Sequence, residues 1–368
     1  MTSVGYVVSL FRVCCDFRTP RDVMGNLCSK RGQTPPLSKQ PDVVASVGQS
    51  ESPPPKPQAK LNPKDFMVTG LKDVTVVRGP GQIAGQQFII DTVDNCNIFL
   101  FDNSAQVTID FATNCRIFIA PCESSVFFRD CKACRVVAAC QQLRTRDCSD
   151  IDMMLFSITQ PSIETTTRLR LSCFQASYFS LSEQFHSANL CIWDNNWWRV
   201  HDFNETDGER HWEIGNFNNE EGEFLGVNPS AVCPDIRFEE TQLPSPVPLT
   251  LGPDHNQQKA WFLLVVDNAD HTAMAIVQEL TRTNAFKLAE TRQAKLTRTQ
   301  IELLFMQNGE KEVAPSIKQK AEMYPSVGLL FIGDNRPAHV REGVFVAPDT
   351  SVSQHMAKCF FQQFRPTV

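Results

Sequence analysis

The amino-acid sequence predicts a mainly β fold plus an α+β fold: a parallel β-helix followed by a ferredoxin-like domain. Two observations support this prediction. Residues 64–230 are rich in short strands and repeat with a period near 19, and residues 259–368 alternate strand and helix patterns. A chain of 368 residues is long enough for two such domains and the segments that connect them.

The first 63 residues are predicted to form a disordered tether, because Pro, Ser, Gln and Lys dominate residues 24–63 and leave little to bury. Residues 24–29 (MGNLCS) fit the N-myristoylation pattern, with Gly25 as the acceptor and Cys28 as the nearby thiol for palmitate. Two acyl chains hold a protein stably at a membrane, whereas one does not. Because 23 residues precede Met24, either translation starts there or the motif is not used.

The repeat is clearest around the short sequences NCNIF (residues 95–99) and NCRIF (114–118). Cys96, Cys115 and Cys134 lie 19 residues apart, and Ile151 and Leu169 follow after 17 and 18 residues. Such a period predicts one coil of a parallel β-helix per unit, with equivalent side chains stacked inside as ladders. A free cysteine suits an internal ladder because it packs as a small hydrophobic side chain.

The cysteines have a second interpretation, because Cys131 and Cys134 form a CxxC pair. A structural zinc site needs a second pair at suitable spacing, but Cys140 and Cys148 are eight positions apart and no histidine lies near them. Ladder packing is therefore favoured over a metal site or a disulfide. We expect neither a metal nor a cofactor.

One strand, at residues 140–148, carries an unusual set of polar side chains. Alternation places three of them on one face: Gln142, Arg144 and Arg146. Leu143 and Thr145 then point to the other face, and Glu164 lies about one coil further along. Two arginines in a row on a rigid sheet form a small cationic surface. The alternative is an ordinary solvated face whose ion pairs contribute little.

Several stretches together resemble the tubulin-binding cofactor C domain family. They are GQQF (residues 85–88), NC (95–96), SVFFR (125–129) and the whole strand at residues 140–148. The lipidation motif, the sequence PKDF (63–66) and the C-terminal domain strengthen the resemblance. It implies that the β-helix is right-handed and that it activates GTP hydrolysis by a partner protein.

The resemblance also implies roles for individual residues. Arg144 matches the arginine finger of the family, and Gln141 and Gln142 match residues that position the finger or contact the GTPase site. Interface positions are matched by Glu164 and Phe203. Arg146 is adjacent to the finger and is expected to serve the structure or, as a partner-binding residue, the interface. A planar guanidinium with a permanent charge suits this role, because phosphoryl transfer depends on charge stabilisation.

Some family members combine this domain with an acylated N-terminus and a C-terminal domain like the present one. For them the resemblance implies a GTP-bound Arf-like small GTPase as partner, and a location at the cytoplasmic face of the plasma membrane, the cilium base or the ciliary membrane. Those members carry their second acyl chain on a cysteine directly after the glycine, where this chain has Asn26.

The C-terminal domain resembles nucleoside diphosphate kinase, which needs a nucleophilic histidine. The matching stretch is VFVAPDT at residues 344–350, and Ala347 or Val346 stands where that histidine should be. Neither side chain can carry a phosphoryl group, so we predict an inactive domain. Residues 231–258 are predicted to be a linker, because prolines and polar residues dominate them. A tryptophan cluster is predicted to cap an open end of the β-helix core, with binding to a partner as the alternative: Trp193, Trp197 and Trp198.

Charge and hydropathy narrow the possible functions. The net charge of −6 argues against binding to nucleic acid, and no stretch of 18 uncharged apolar residues predicts a membrane-spanning helix. The sequence thus predicts a membrane-tethered GTPase activator rather than an enzyme with its own substrate. The alternatives are a tubulin-folding or tubulin quality-control factor, and a scaffold that only binds.

Overall fold

The protein is represented by a computed structural model that describes most of the two predicted folded domains. The described residues are 62–206, 209–215, 217, 224–227, 231, 236, 245–252, 259–282, 284–306, 313–338 and 341–364. The predicted acylation sites Gly25 and Cys28 lie outside them. No helix among the described residues is both long and apolar enough to span a bilayer.

Two stacks of parallel strands, here called the front and back stacks, form the β-helix. The front stack contains β1 (Met67–Lys72), β3 (Phe88–Asp94), β5 (Val107–Thr113), the ends of β6 (Arg116–Arg129) and β7 (Lys132–Arg146), β9 (Ser162–Glu164) and β11 (His201–Asp202). The back stack contains β2 (Thr75–Arg78), β4 (Asn97–Leu100), the starts of β6 and β7, β8 (Ser149–Ser157), β10 (Thr167–Cys173) and β12 (Trp212–Ile214). The predicted fold class is therefore confirmed for this domain.

The register of the coils is the one that the repeat predicts. Cys134 pairs with Ile151, Ile151 with Leu169, and Leu169 with Trp212, and all four side chains are buried. At the corner between the stacks, Asn95 and Asn114 adopt left-handed backbone angles, with φ of 52° and 54°. Asparagine tolerates this region better than most residues, which explains its place directly before the ladder cysteine.

Eight of the ten described cysteines lie in the core of the β-helix, where the predicted ladders run, whereas Cys191 and Cys359 lie outside that core. Nine of the ten described cysteines are buried and Cys191 is half-buried, and all ten are free thiols. Cys122 and Cys140 are register partners on adjacent strands, and burial raises the pKa of both thiols. Burial likewise raises the pKa of Cys173. These thiols are thus held in their neutral, apolar form.

An apolar layer covers the outer surface of the back stack. Helix α1 (Leu181–Ser187) presents Phe185 to Phe156 of β8, with ring centroids 4.9 Å apart. Tyr178 packs edge-on against Phe101 and Phe118 at 5.5 and 5.9 Å. Apolar side chains on both faces of the back stack are therefore buried, but Arg116, Arg135 and Arg170 lie beyond the edge of this layer and are not buried. The front stack keeps an open outer face.

The C-terminal domain is an antiparallel sheet of four strands packed against helices. The elements are β13 (Ala260–Val265), α2 (Ala269–Thr281), β14 (Lys287–Ala294), α3 (Arg298–Phe305), α4 (Pro315–Met323), β15 (Ser326–Ile332), β16 (Val344–Val346) and α5 (Thr350–Lys358). A single π-helical turn, Cys359–Gln363, extends α5. The strand order β14–β15–β13–β16 is that of a ferredoxin-like sheet, as predicted.

Part of the predicted linker packs between the two domains. The Trp197 indole N–H donates to the hydroxyl of Thr250, 3.0 Å away, and both residues are buried. The Leu251 N–H donates to the carbonyl of Leu288 on β14. Residues 245–252 therefore belong to the folded body, because their buried polar groups are paired with both domains.

The predicted capping role holds for two of the three tryptophans. Trp197 lies in the β-helix core and Trp198 packs against it. Trp193 instead joins the core of the C-terminal sheet, and its indole N–H donates to the carboxylate of Asp270, 2.7 Å away. The prediction is wrong for Trp193 because the neighbouring domain offers this ring both an apolar pocket and a polar partner.

Candidate functional site

The open outer face of the front stack brings most of the predicted site residues together. Along the end of β7, Leu143 and Thr145 point into the β-helix and are buried. The Thr145 hydroxyl lies 2.8 Å from that of Thr166 on the next coil, which satisfies both groups. Alternation then leaves three side chains on the outer face: Gln142, Arg144 and Arg146.

Arg144 is exposed and rests on an aromatic ring rather than on a carboxylate. Its guanidinium carbon lies 4.9 Å from the ring centroid of Phe127, the register partner one coil earlier. Ser162 is the partner one coil later. Within the part of the chain that the structure describes, no carboxylate forms an ion pair with Arg144. The guanidinium is thus oriented by stacking, and its N–H donors are left for another molecule.

The neighbouring column of side chains carries charges of both signs. Arg129, Arg146 and Glu164 are register partners on successive strands. Arg129 is held by the carboxylate of Asp110 at 2.6 and 2.5 Å. Arg146 makes only a long contact of 3.5 Å with Asp147, and its buried Nε has no hydrogen-bond partner. No cationic side chain of the described residues pairs with the Glu164 carboxylate.

Phe203 extends this face by one further coil. β11 pairs with β9, so His201 lies beside Ser162, and the Phe203 N–H donates to the carbonyl of Ile163. The Phe203 ring packs edge-on against His201 at 4.5 Å and is 64% exposed. An aromatic ring that is this exposed and backed by a sheet suits contact with a partner protein.

Gln141 differs from the other predicted residues because it lies at the bend of β7 between the two stacks. Its side chain is exposed, and its carbonyl accepts hydrogen bonds from the N–H and hydroxyl of Thr159 at 2.8 and 3.1 Å. These bonds fix the backbone directly before Gln142, which lies beside Ser125. The structure therefore places Gln141 at the edge of the surface that contains Arg144, Arg146, Glu164 and Phe203.

Sequence reasoning missed two aromatic contacts of this surface, Phe127 under Arg144 and His201 beside Phe203. The repeat contained the signal for the first, since Phe127 precedes Arg144 by 17 residues, one coil of the β-helix. The second depends on the path of the chain after β10, which does not follow the repeat. The ring contacts matter because they limit the conformations of exposed side chains.

The matching position in the C-terminal domain has no nucleophile. Ala347 is fully buried, and its N–H donates to the carbonyl of Phe262. The Arg336 guanidinium donates to the carbonyls of Val346 and Ala347 at 2.8 and 2.9 Å. His355 contacts the carbonyl of Leu303 at 3.0 Å. Hydrogen bonds therefore fix the backbone around Ala347, and the side chain at this position is a methyl group that cannot act as a nucleophile.

Comparison with known proteins identifies the relatives of this chain. Residues 85–203 match the family described as Tubulin binding cofactor C. The chain is also similar to the proteins named Protein XRP2 from Gallus gallus (36% identity, 75% of this chain and 77% of that protein) and Danio rerio (38%, 75% and 73%). It is 26% identical to Tubulin-specific chaperone C of Bos taurus over 46% of this chain and 49% of that protein.

The β-helix and its surface thus define a protein with a tubulin-binding cofactor C domain. This chain is more than one third identical to the two XRP2 proteins over about three quarters of both chains, which identifies a particular family within this class. The chain belongs to the XRP2 family, the retinitis pigmentosa 2 proteins.

Proposed function

We propose that this protein is a GTPase-activating protein that supplies Arg144 in trans to a GTP-bound Arf-like small GTPase. The observation that carries the proposal is the state of Arg144: exposed, oriented over Phe127, and without a carboxylate partner among the described residues. A finger held by a stiff sheet loses little conformational freedom when it docks. Its planar fork can bridge the phosphate oxygens on which charge develops in the transition state.

The surrounding residues are assigned supporting roles. Gln141 and Gln142 position the finger or contact the GTPase site, since they lie two and three residues before it on the same strand. Arg146 and Glu164 offer charges of opposite sign one register step apart, which suits a polar contact that fixes the orientation of the partner. Phe203 adds an apolar anchor at the far edge of the same face.

The N-terminal motif supports a membrane location for this activity. Myristoylation of Gly25, with palmitoylation of Cys28 as the second signal, would hold the protein at the cytoplasmic face of the plasma membrane or at the cilium. In cells, Gly25→Ala is then expected to move the protein from the membrane to the soluble fraction. A protein that remains with the membrane as this variant would contradict the acylation.

A second candidate is a role in tubulin folding or quality control. It is favoured by the family match over residues 85–203 and by the similarity to Tubulin-specific chaperone C. Tubulin itself hydrolyses GTP, so the same surface would act on a different client. A scaffold that only binds is the third candidate and gives Arg144 no chemical role.

One experiment separates these candidates. GTP hydrolysis in a single turnover is measured for a panel of Arf-like GTPases and for tubulin, each with the native protein and with Arg144→Ala. We expect an acceleration of one client that is lost with Arg144→Ala, while Arg282→Gln, an exposed arginine of the C-terminal domain, behaves as the native protein. The client identifies the role. Acceleration that survives Arg144→Ala would refute the finger, and binding without any acceleration would leave a scaffold.

A further inference from the structure

A second charged surface lies on the back stack, away from the Arg144 face. It is a groove with a volume of about 620 Å³ that crosses successive coils of the β-helix. Five arginines line it: Arg116, Arg135, Arg168, Arg170 and Arg210. Three carboxylates accompany them: Asp150, Asp152 and Glu213. The groove is therefore cationic in a protein whose net charge is −6.

Two of these arginines are already neutralised. Arg168 donates to both oxygens of Asp150 at 2.5 and 2.7 Å, and the pair raises the pKa of the guanidinium and lowers that of the carboxyl. Arg170 donates to both oxygens of Asp152 at 2.6 and 2.7 Å. Each guanidinium is paired with one carboxylate, so these two pairs add no net charge to the groove.

The excess charge lies at Arg116 and Arg135. They are direct register partners on adjacent parallel strands, an arrangement in which like charges repel. The next partner of Arg135 is Asp152, but its carboxylate is occupied by Arg170. Arg135 donates only to the carbonyl of Phe224 at 3.3 Å. Across the described residues, neither Arg116 nor Arg135 forms an ion pair with a carboxylate.

The opposite end of the groove carries a third cation of this kind. Arg210 lies over the ring of Trp212 at 5.0 Å, and no ion pair joins it to a described carboxylate. Adjacent arginines also occur on the front stack, but one of them is paired with a carboxylate. There Arg129 stands beside Arg146 but is held by Asp110. At both ends of the groove, by contrast, no described carboxylate forms an ion pair with the arginines that stand there.

We propose that this groove binds an extended acidic peptide segment of a partner protein. Five strands spaced by about 4.8 Å give it a length of about 19 Å, which fits roughly six residues of extended chain. Carboxylate side chains match the guanidinium forks of Arg116, Arg135 and Arg210. Asp150, Asp152 and Glu213 would repel a densely charged polymer such as nucleic acid, so the occupant must place its charges at intervals.

The test uses the full chain and a fluorescein-labelled hexaglutamate peptide, with binding followed by fluorescence anisotropy at low salt. We expect saturable binding that weakens as salt increases, because exposed charges are screened. Arg116→Gln/Arg135→Gln should weaken it by about tenfold or more, the equivalent of one charge-assisted contact. Arg282→Gln/Lys287→Gln removes the same charge from the C-terminal domain and should change affinity by less than about twofold.

A hexalysine peptide and thermal melting serve as further controls. The hexalysine peptide should not bind, and the double variant should melt close to the native protein, because relief of the like-charge contact offsets the loss of the hydrogen bond from Arg135 to the Phe224 carbonyl. Arg210→Gln provides a second, single-site variant that should also weaken binding.

Four outcomes would overturn the proposal. The first is absence of binding to the native protein, and the second is an equal loss in the Arg282→Gln/Lys287→Gln control. The third is full displacement of the peptide by inorganic phosphate at equal concentration, which would indicate a small-anion site. The fourth is binding that appears only after Glu220, Glu221 and Glu223 are changed to Gln, which would make the chain's own acidic residues the occupant.

Discussion

The two halves of strand β7 differ in how far their outward side chains are buried. In the first half, Arg135 points outward into the groove of the back stack, whereas Val137 and Ala139 point outward and are buried beneath the layer that contains α1. In the second half, Gln142, Arg144 and Arg146 point outward into solvent. A strand covered on both faces needs a continuous apolar run, whereas a strand covered on one face alternates. Val137 and Ala139 thus serve stability, whereas the outward side chains of the second half form the proposed recognition surface.

This difference shows how the β-helix separates its tasks. The internal ladders and the covering layer bury the back stack on both sides, so most of its outward side chains contribute to folding. The front stack is stabilised mainly by its internal face. Its outer face can hold uncompensated charge and exposed rings because folding depends little on them.

The largest effect is expected from Arg144→Lys. Lysine keeps the charge but lacks the planar fork that bridges phosphate oxygens. We expect stimulated GTP hydrolysis to fall by about 10³-fold or more, toward the rate of the GTPase alone. The measurement is single-turnover hydrolysis with the client GTPase at saturating concentration.

The same variant should leave folding and docking nearly unchanged, since Arg144 has no ion pair within the described structure. Its melting temperature and its affinity for the GTP-bound client are the controls. Hydrolysis close to the native rate would show that charge alone suffices. A lower melting temperature would mean that Arg144 also serves stability, which would weaken the contrast between the halves of β7.

The next effect compares two outward-facing phenylalanines of β6. Phe118 is fully buried in the covered half, with its ring 4.8 Å from that of Phe101. Phe127 is half-buried in the open half, under Arg144. Phe118→Ala should lower the free energy of unfolding by about 3–5 kcal/mol. Phe127→Ala should cost only about 1 kcal/mol.

Urea denaturation followed by circular dichroism measures both values. Phe127→Ala should in addition reduce stimulated hydrolysis, because it removes the ring that orients Arg144, while Phe118→Ala should not do so below its unfolding transition. Equal destabilisation by the two changes would contradict the division into covered and open halves.

The sequence predicted the regular parts of the molecule because they repeat. Cys96, Cys115 and Cys134 established the register, and the pairing of Cys134 with Ile151 and of Ile151 with Leu169 confirms it even where the spacing shortens. A β-helix coil contacts mainly its neighbours, so a local repeat contains most of the structural information. The alternation along residues 140–148 was accessible for the same reason.

The irregular parts were less accessible to sequence reasoning. Helix α1 and Tyr178 cover the back stack through contacts between residues far apart in sequence, such as Gln184 with the carbonyl of Phe101 at 2.9 Å. Trp193 faces the C-terminal domain because Asp270 and an apolar pocket lie there. No periodic pattern encodes such contacts. The Pro-rich composition of residues 231–258 likewise indicated a linker, although residues 245–252 pack against both domains.

A smaller effect is expected from the buried thiols at alkaline pH. Burial raises the pKa of Cys140 above its ordinary value, so the native state favours the neutral thiol. This contribution is fully present below about pH 8.5, where the unfolded thiol is also neutral, and is lost as the pH increases. Stability should fall by at most about 1.4 kcal/mol per pH unit for each such thiol.

The measurement compares urea midpoints at pH 7.5 and pH 9.5 for the native protein and Cys140→Ala. Other groups that titrate in this range affect both proteins and cancel. The variant should show the smaller decrease, since it lacks one ionisable group that the native state protects. Parallel decreases would indicate that the Cys140 thiol ionises equally in the folded and unfolded chains.

The smallest effect compares two arginines on the open face itself. Arg129 donates to both oxygens of Asp110, whereas Arg144 has no such partner among the described residues. Arg129→Gln should lower the free energy of unfolding by up to about 1 kcal/mol, the usual range for a partly exposed pair. Arg144→Gln should change it by less than about 0.5 kcal/mol.

Matched urea curves at low and high salt test this difference, which should shrink at high salt because screening weakens only the Arg129 pair. A measurable decrease in the free energy of unfolding for Arg144→Gln would mean that Arg144 contributes to the stability of the fold, as Arg129 does. If Arg144 instead has no effect on stability and a large effect on hydrolysis, the residue is maintained by interaction with the partner rather than by folding.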